Sequence, residues 1–97
     1  MKYLVIDAEL SGTGIRDYYE GIYFTPEELQ LSSDIADKLN NWLVRYQNEH
    51  FRGYINNEQI DNLDKEGIDI ALLIKNEIDD VKIIYLSDAR MTKVIIE

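Results

Sequence analysis

Two long stretches of the chain repeat their apolar positions every three or four residues, and three short ones are almost continuously apolar. The clearest amphipathic stretch is Ser32 to Tyr46, SSDIADKLNNWLVRY. Ile35, Ala36, Leu39, Trp42, Leu43 and Tyr46 return to one face of a 3.6-residue period, while Asp34, Asp37, Lys38, Asn41 and Arg45 fill the other. Ser32 or Ser33 can cap this helix, and Asp34 suits the positive end of its dipole. The pattern predicts a core-facing helix that frays near Gln47 to Glu49, with Trp42 as a packing anchor. A second helix is predicted from Asn56 or Asn57 through Ile78, because Ile60, Leu63, Gly67, Ile70, Ala71, Ile74 and Ile78 step by three or four. Gly67 costs about 1 kcal/mol relative to alanine in a helix, and its missing side chain allows close approach to a neighbour. Glu58, Asp61, Asp64 and Glu66 predict an exposed first half for this helix. The apolar run Ile68 to Ile74 predicts a second half packed on both the sheet and the first helix.

The short runs predict strands. Tyr3 to Ile6 is continuous and β-prone, as in a strand buried on both faces, and the strand is placed at Lys2 to Ala8. Val81 to Leu86 and Met91 to Ile96 are two more, joined by a hairpin turn at Ser87 to Arg90 that lacks an Asn-Gly or Asp-Gly signal. Glu9 to Glu20 is expected to be irregular, and Gly21 to Phe24 to be an edge strand or a core plug. Thr25-Pro26-Glu27-Glu28 carries an N-cap, a first-turn proline and a capping box, but Ser32 follows so soon that only one turn of helix fits. These elements predict a single α+β domain over residues 1–97. Its small β-sheet, an N-terminal strand plus a C-terminal hairpin, packs against two main α-helices, with an additional one-turn helix. Lys2 to Ala8 is expected to pair with Val81 to Leu86, in a direction the pattern leaves open.

Composition narrows the function more than the fold. Ninety-seven residues can bury one core. With no cysteine there is no disulfide, thiolate nucleophile or sulfur metal site. The apolar run at the start ends at Asp7, too short for a signal-peptide core or a membrane span, so a cytoplasmic protein without membrane contact is expected. Nineteen acids against ten bases give a net charge of −9, which argues against direct binding to nucleic acid. The same charge suits either a basic protein partner or simple solubility. It is concentrated between Arg52 and Asp80, where eight acids face three bases.

Few residues suggest catalysis. Gly12-Thr13-Gly14 lacks the Lys-Ser/Thr ending of a phosphate loop and the third glycine of a dinucleotide fingerprint. Asp7, Glu9, Asp17 and Glu20 gather around a strand end and a glycine-bearing loop, where two carboxylates could serve a metal-assisted hydrolase. Nothing fixes their spacing, and His50, the only histidine, sits at a helix end as a surface or capping group. No catalytic residue, metal ligand or cofactor is assigned, and the chain is read as a non-enzyme. Tyr18 and Tyr19, between Asp17 and Glu20, suit either the edge of the core or a protein interface. The acidic face from Glu58 to Glu66 is either a solvated face or a docking surface.

One combination of segments resembles a family. It comprises Gly21, Ile22 and Tyr23; Glu28, Leu29, Leu31 and Ser32; Leu39, Trp42 and Tyr46; and Asp64, Glu66 and Gly67. It is similar to the small acidic immunity proteins of bacterial polymorphic-toxin and contact-dependent growth inhibition systems. Tyr23 stands where that family's pattern has tryptophan, and Ile68-Asp69 is less basic than its usual helix. The resemblance implies a stoichiometric inhibitor of a cognate toxin domain, a basic nuclease with RNA among its candidate substrates. It carries over no catalytic residue. The contacts expected on this reading are Asp17, Tyr18, Tyr19, Glu20, Asp61 and Asp64. The alternative is a small acidic adaptor or regulator of another bacterial assembly, also without catalysis.

Overall fold

The computed structural model describes residues 1–97 and contains four strands and two helices. These are β1 (Lys2–Ile6), β2 (Ile15–Asp17), α1 (Ser33–Phe51), α2 (Asn57–Glu77), β3 (Val81–Leu86) and β4 (Lys93–Ile96). The fold class is α+β, as the pattern predicts. The strand order is β2-β1-β3-β4. β1 and β3 pair in parallel, with Leu4 opposite Ile83 and Ile6 opposite Tyr85, and the outer strands are antiparallel to them. Parallel pairing requires a long crossover, which α1 and α2 provide.

Alternation along the strands defines the two sheet faces. Leu4, Ile6, Ile15, Ile83, Tyr85 and Ile96 join α1 and α2 in one core. Val5 and Ile84 are also buried, yet they stand outside that core, on the face no helix covers. β1 therefore reads as a continuous apolar run although only one face of the sheet is packed by helices.

Ser32 caps α1, accepting from the Ile35 amide at 3.3 Å. The helix runs beyond the expected fraying point to Phe51. Gly53 explains the extension, because its φ of +80° lets it follow the cap residue Arg52. The Gly53 amide donates to His50 O at 3.0 Å and the Tyr54 amide to Glu49 O at 3.0 Å, the paired bonds of a Schellman end. α2 is capped by Asn56, which accepts from the Gln59 amide at 3.0 Å. Trp42 is fully buried, and its indole N–H donates to Leu63 O at 2.8 Å, tying α1 to α2.

Three local expectations change. β2 lies inside the stretch predicted to be irregular, since three residues flanked by glycine and polar groups carry too little alternation to show. Gly21 to Phe24 makes only one bridge, between Tyr23 and Arg16. The capping box forms at Thr25 and Glu28, with bonds of 2.8 and 3.2 Å, but it closes successive turns over residues 26–31, ended by Gln30 at φ 56°. The final strand begins at Lys93 rather than Met91, because Met91 is held at φ 54° by its amide bond to Ser87 O. No helix is long and apolar enough to cross a membrane.

Candidate functional site

Three assemblies of polar and aromatic side chains stand out. The first lies where β2 ends, beside the start of β1. The Tyr18 amide donates to Tyr3 O, and the Tyr18 ring stacks on Tyr3 with centroids 4.2 Å apart. Tyr19 meets both rings edge-on, at 5.7 Å from Tyr3 and 5.2 Å from Tyr18. Tyr19 is 76% exposed, so the trio is a self-packed aromatic knob at the edge of the uncovered sheet face. One oxygen of Asp17 accepts from the Tyr19 and Glu20 amides at 3.0 and 2.8 Å, which fixes the turn that presents the rings. Glu20 is exposed beside them. Beyond the knob, Val5 and Ile84 floor a groove of about 190 Å³ flanked by Tyr18, Arg16, Leu86 and Lys93.

The second assembly is centred on Asp64. Its Oδ1 accepts from Tyr46 at 2.8 Å and Tyr85 at 2.6 Å; its Oδ2 accepts from Ser87 at 2.9 Å and from Arg90 at 3.1 Å. Burial raises the Tyr46 hydroxyl to about 12, and burial followed by the Asp64 bond drives Tyr85 far above its ordinary value. Both phenols therefore remain donors to Asp64. The expectation of an exposed Asp64 is corrected by this arrangement. Asp64 is four residues beyond Ile60 and three before Gly67, so the helical period puts it on the buried stripe. Asp61, one turn earlier, is exposed and pairs with Arg90 at 2.8 Å.

The structure therefore divides the six expected contacts. Asp17, Tyr18, Tyr19 and Glu20 share the turn beside Tyr3, where β1 begins. Asp61 and Asp64 stand on the helical layer, where Asp64 meets Tyr85 and Ser87 at the end of β3 and Asp61 pairs with Arg90. β1 and β3 run parallel, so the two groups occupy opposite ends of the sheet.

The third assembly surrounds Asp7, just beyond β1. Asp7 is buried and accepts from Arg16 Nε at 2.8 Å. Burial pushes its carboxyl up, against the opposing effect of Arg16. Burial, and then Asp7 and Glu9 nearby, raise Asp88 to about 6. Tyr23 donates to Glu9 at 2.6 Å, and His50 lies 3.3 Å from the Tyr54 hydroxyl. Asp7 and Glu9 thus stand with Asp88, away from Asp17 and Glu20, and the four carboxylates grouped by sequence form no single site. No group of three His, Cys, Asp or Glu side chains is arranged to hold a metal ion. Asp88 was not singled out from sequence, because its neighbours come from Asp7 and Glu9 at the other end of the chain.

Compared with protein-family models, with curated proteins and with solved structures, the chain matches none.

Proposed function

We propose that this chain is an immunity protein, a non-catalytic inhibitor that binds and neutralises a cognate toxin domain in a bacterial contact-dependent or polymorphic-toxin system. The observation that carries a binding role is the tyrosine knob. Three tyrosines pack on one another and leave Tyr19 76% exposed, an arrangement that contributes little to the core. Rigid aromatic area beside a polar rim is what dominant interface contacts are made of. The net charge of −9 supports a basic partner, because it speeds encounter with a nuclease that holds nucleic acid in a positive cleft. The resemblance in Gly21 to Tyr46 and Asp64 to Gly67 supports the toxin assignment. On this reading Tyr18, Tyr19 and Glu20 are contact residues, Asp17 shapes their turn, Asp61 offers exposed charge, and Asp64 supports the fold.

Co-expression with the C-terminal domain of a large secreted protein encoded by a neighbouring gene tests the assignment, and the lack of any such gene counts against it. Cells carrying both proteins are expected to survive, and death at the rate seen with the toxin alone sinks the immunity reading. Tyr18→Ala with Tyr19→Ala should weaken toxin binding by two or more kcal/mol, or roughly 30-fold, while the unfolding midpoint stays close to wild type. Unchanged affinity would remove the knob from the interface.

A further inference from the structure

The end of the sheet where β1 and β3 finish opens into a cleft of about 420 Å³. The cleft is lined by Asp7, Glu9, Asp88, Arg16, His50 and Tyr54, among others. Asp7 is only 1% exposed; Arg16 Nε reaches its Oδ2, the Glu9 backbone amide also favours its charged form, and its Oδ1 has no partner at hydrogen-bond geometry. A buried carboxylate oxygen without a donor is costly, and native folds leave few of them. Glu9 and Asp88 bring two more carboxylates, against Arg16 as the one permanent cation of the lining. His50 and Tyr54 stand edge-to-face at 5.5 Å and supply aromatic surface to the same cleft.

Three carboxylates thus share one permanent cation, and Arg16 is already committed to Asp7. The carboxylates are not grouped as metal ligands. A planar cation with several donors can reach more than one carboxylate and lie against a ring, which describes a guanidinium better than a compact ammonium. We propose that the cleft receives the guanidinium of an arginine side chain presented by a basic partner protein. The identity of that partner rests on the toxin-inhibitor reading, while the guanidinium site stands on the cleft alone. The elevated carboxyl of Asp88 fits such a site: like charges are crowded where a counter-charge is to arrive.

The test titrates the ¹⁵N-labelled full chain at pH 7.5 with N-acetyl-arginine-N-methylamide, followed by NMR. Saturable shifts are expected to centre on residues 7–9, 50, 54 and 88–91. The neutral citrulline counterpart should bind about tenfold more weakly, the loss of one good charge pair. The same loss is expected for E9Q and for D88N, each confirmed as folded by circular dichroism. The lysine counterpart should bind several-fold more weakly than arginine. The proposal is overturned by the absence of localised saturable shifts, by equal binding of citrulline or lysine, or by undiminished binding in E9Q and D88N together. Arginine binding without protection from the toxin keeps the cleft and removes the toxin reading. Protection without arginine binding does the reverse.

Discussion

Replacing Asp64 by asparagine tests whether this carboxylate supports the fold or merely decorates a helix. Each of its oxygens accepts two donors in the native fold, Tyr46 and Tyr85 on one and Ser87 and Arg90 on the other. An amide keeps only one such oxygen. Whichever way it points, its NH₂ group replaces a charged oxygen that accepted two bonds, and the hydroxyls facing it can at best accept weaker, neutral bonds in return. Hydrogen bonds to a charged acceptor are worth about 1.5–3 kcal/mol each. Tyr46 can redirect its hydroxyl to Ser87 Oγ, 3.1 Å away, and recover part of the loss. The expected net cost is about 3 kcal/mol, a large share of the roughly 5–15 kcal/mol that holds a small domain together. For a chain of this length that lowers the melting temperature by roughly 10–20 °C. Urea unfolding followed by Trp42 fluorescence measures it, because Trp42 is fully buried beside Tyr46 and Tyr85. Asp61→Asn is the control: it removes one exposed ion pair with Arg90 and should cost less than about 0.5 kcal/mol. A loss below about 1 kcal/mol for Asp64→Asn, or equal losses for the two variants, would refute the account of Asp64 as a structural hub.

Two further expectations follow from packing and charge. A Cβ at Gly67 would overlap Tyr85 Cε1 and stand 2.9 Å from Trp42 Cζ2, and both rings are held by hydrogen bonds to α2. Gly67→Ala should therefore destabilise by about 2 kcal/mol despite its better helix propensity, and an unchanged or higher urea midpoint would show that the rings yield. Asp88, raised to about 6 from an ordinary 3.8 by burial and then by Asp7 and Glu9, holds its proton more tightly when folded. Its contribution is present below about pH 4 and is lost as pH rises through 6, while Arg16 and His50 act in the opposite direction. Asp88→Asn should thus stabilise the chain at pH 7.5 by on the order of 1 kcal/mol, after allowance for partial solvation, and by only about 0.2 kcal/mol at pH 4. Equal urea midpoint differences at both pH values would contradict this.

Local pattern was sufficient where structure is decided within one or two turns of chain. The 3.6-residue period of Ile35 to Tyr46 and of Ile60 to Ile74, the caps at Ser32 and Asn56, and the continuous apolar runs at Tyr3 and Val81 all depend on neighbours close in sequence. Gly53 carried the signal for the true end of α1. Asp64 carried one too, because it falls on the stripe of Ile60 and Gly67. Its charge favours exposure, and the helical period outweighs it.

What the sequence alone determined is five of the six elements, β2 being the exception, with the α+β class and the acidic, cysteine-free character of the chain. Only the tertiary structure decided that β1 and β3 run parallel, that β2 joins the sheet and that one sheet face stays uncovered. It also decided the company each polar group keeps. Tyr3 joins Tyr18 and Tyr19 across fifteen residues, and Asp7 and Glu9 meet Asp88 from opposite ends of the chain. Such contacts depend on strand order and crossover geometry, which no local periodicity encodes, and they are where the tyrosine knob and the carboxylate cleft arise.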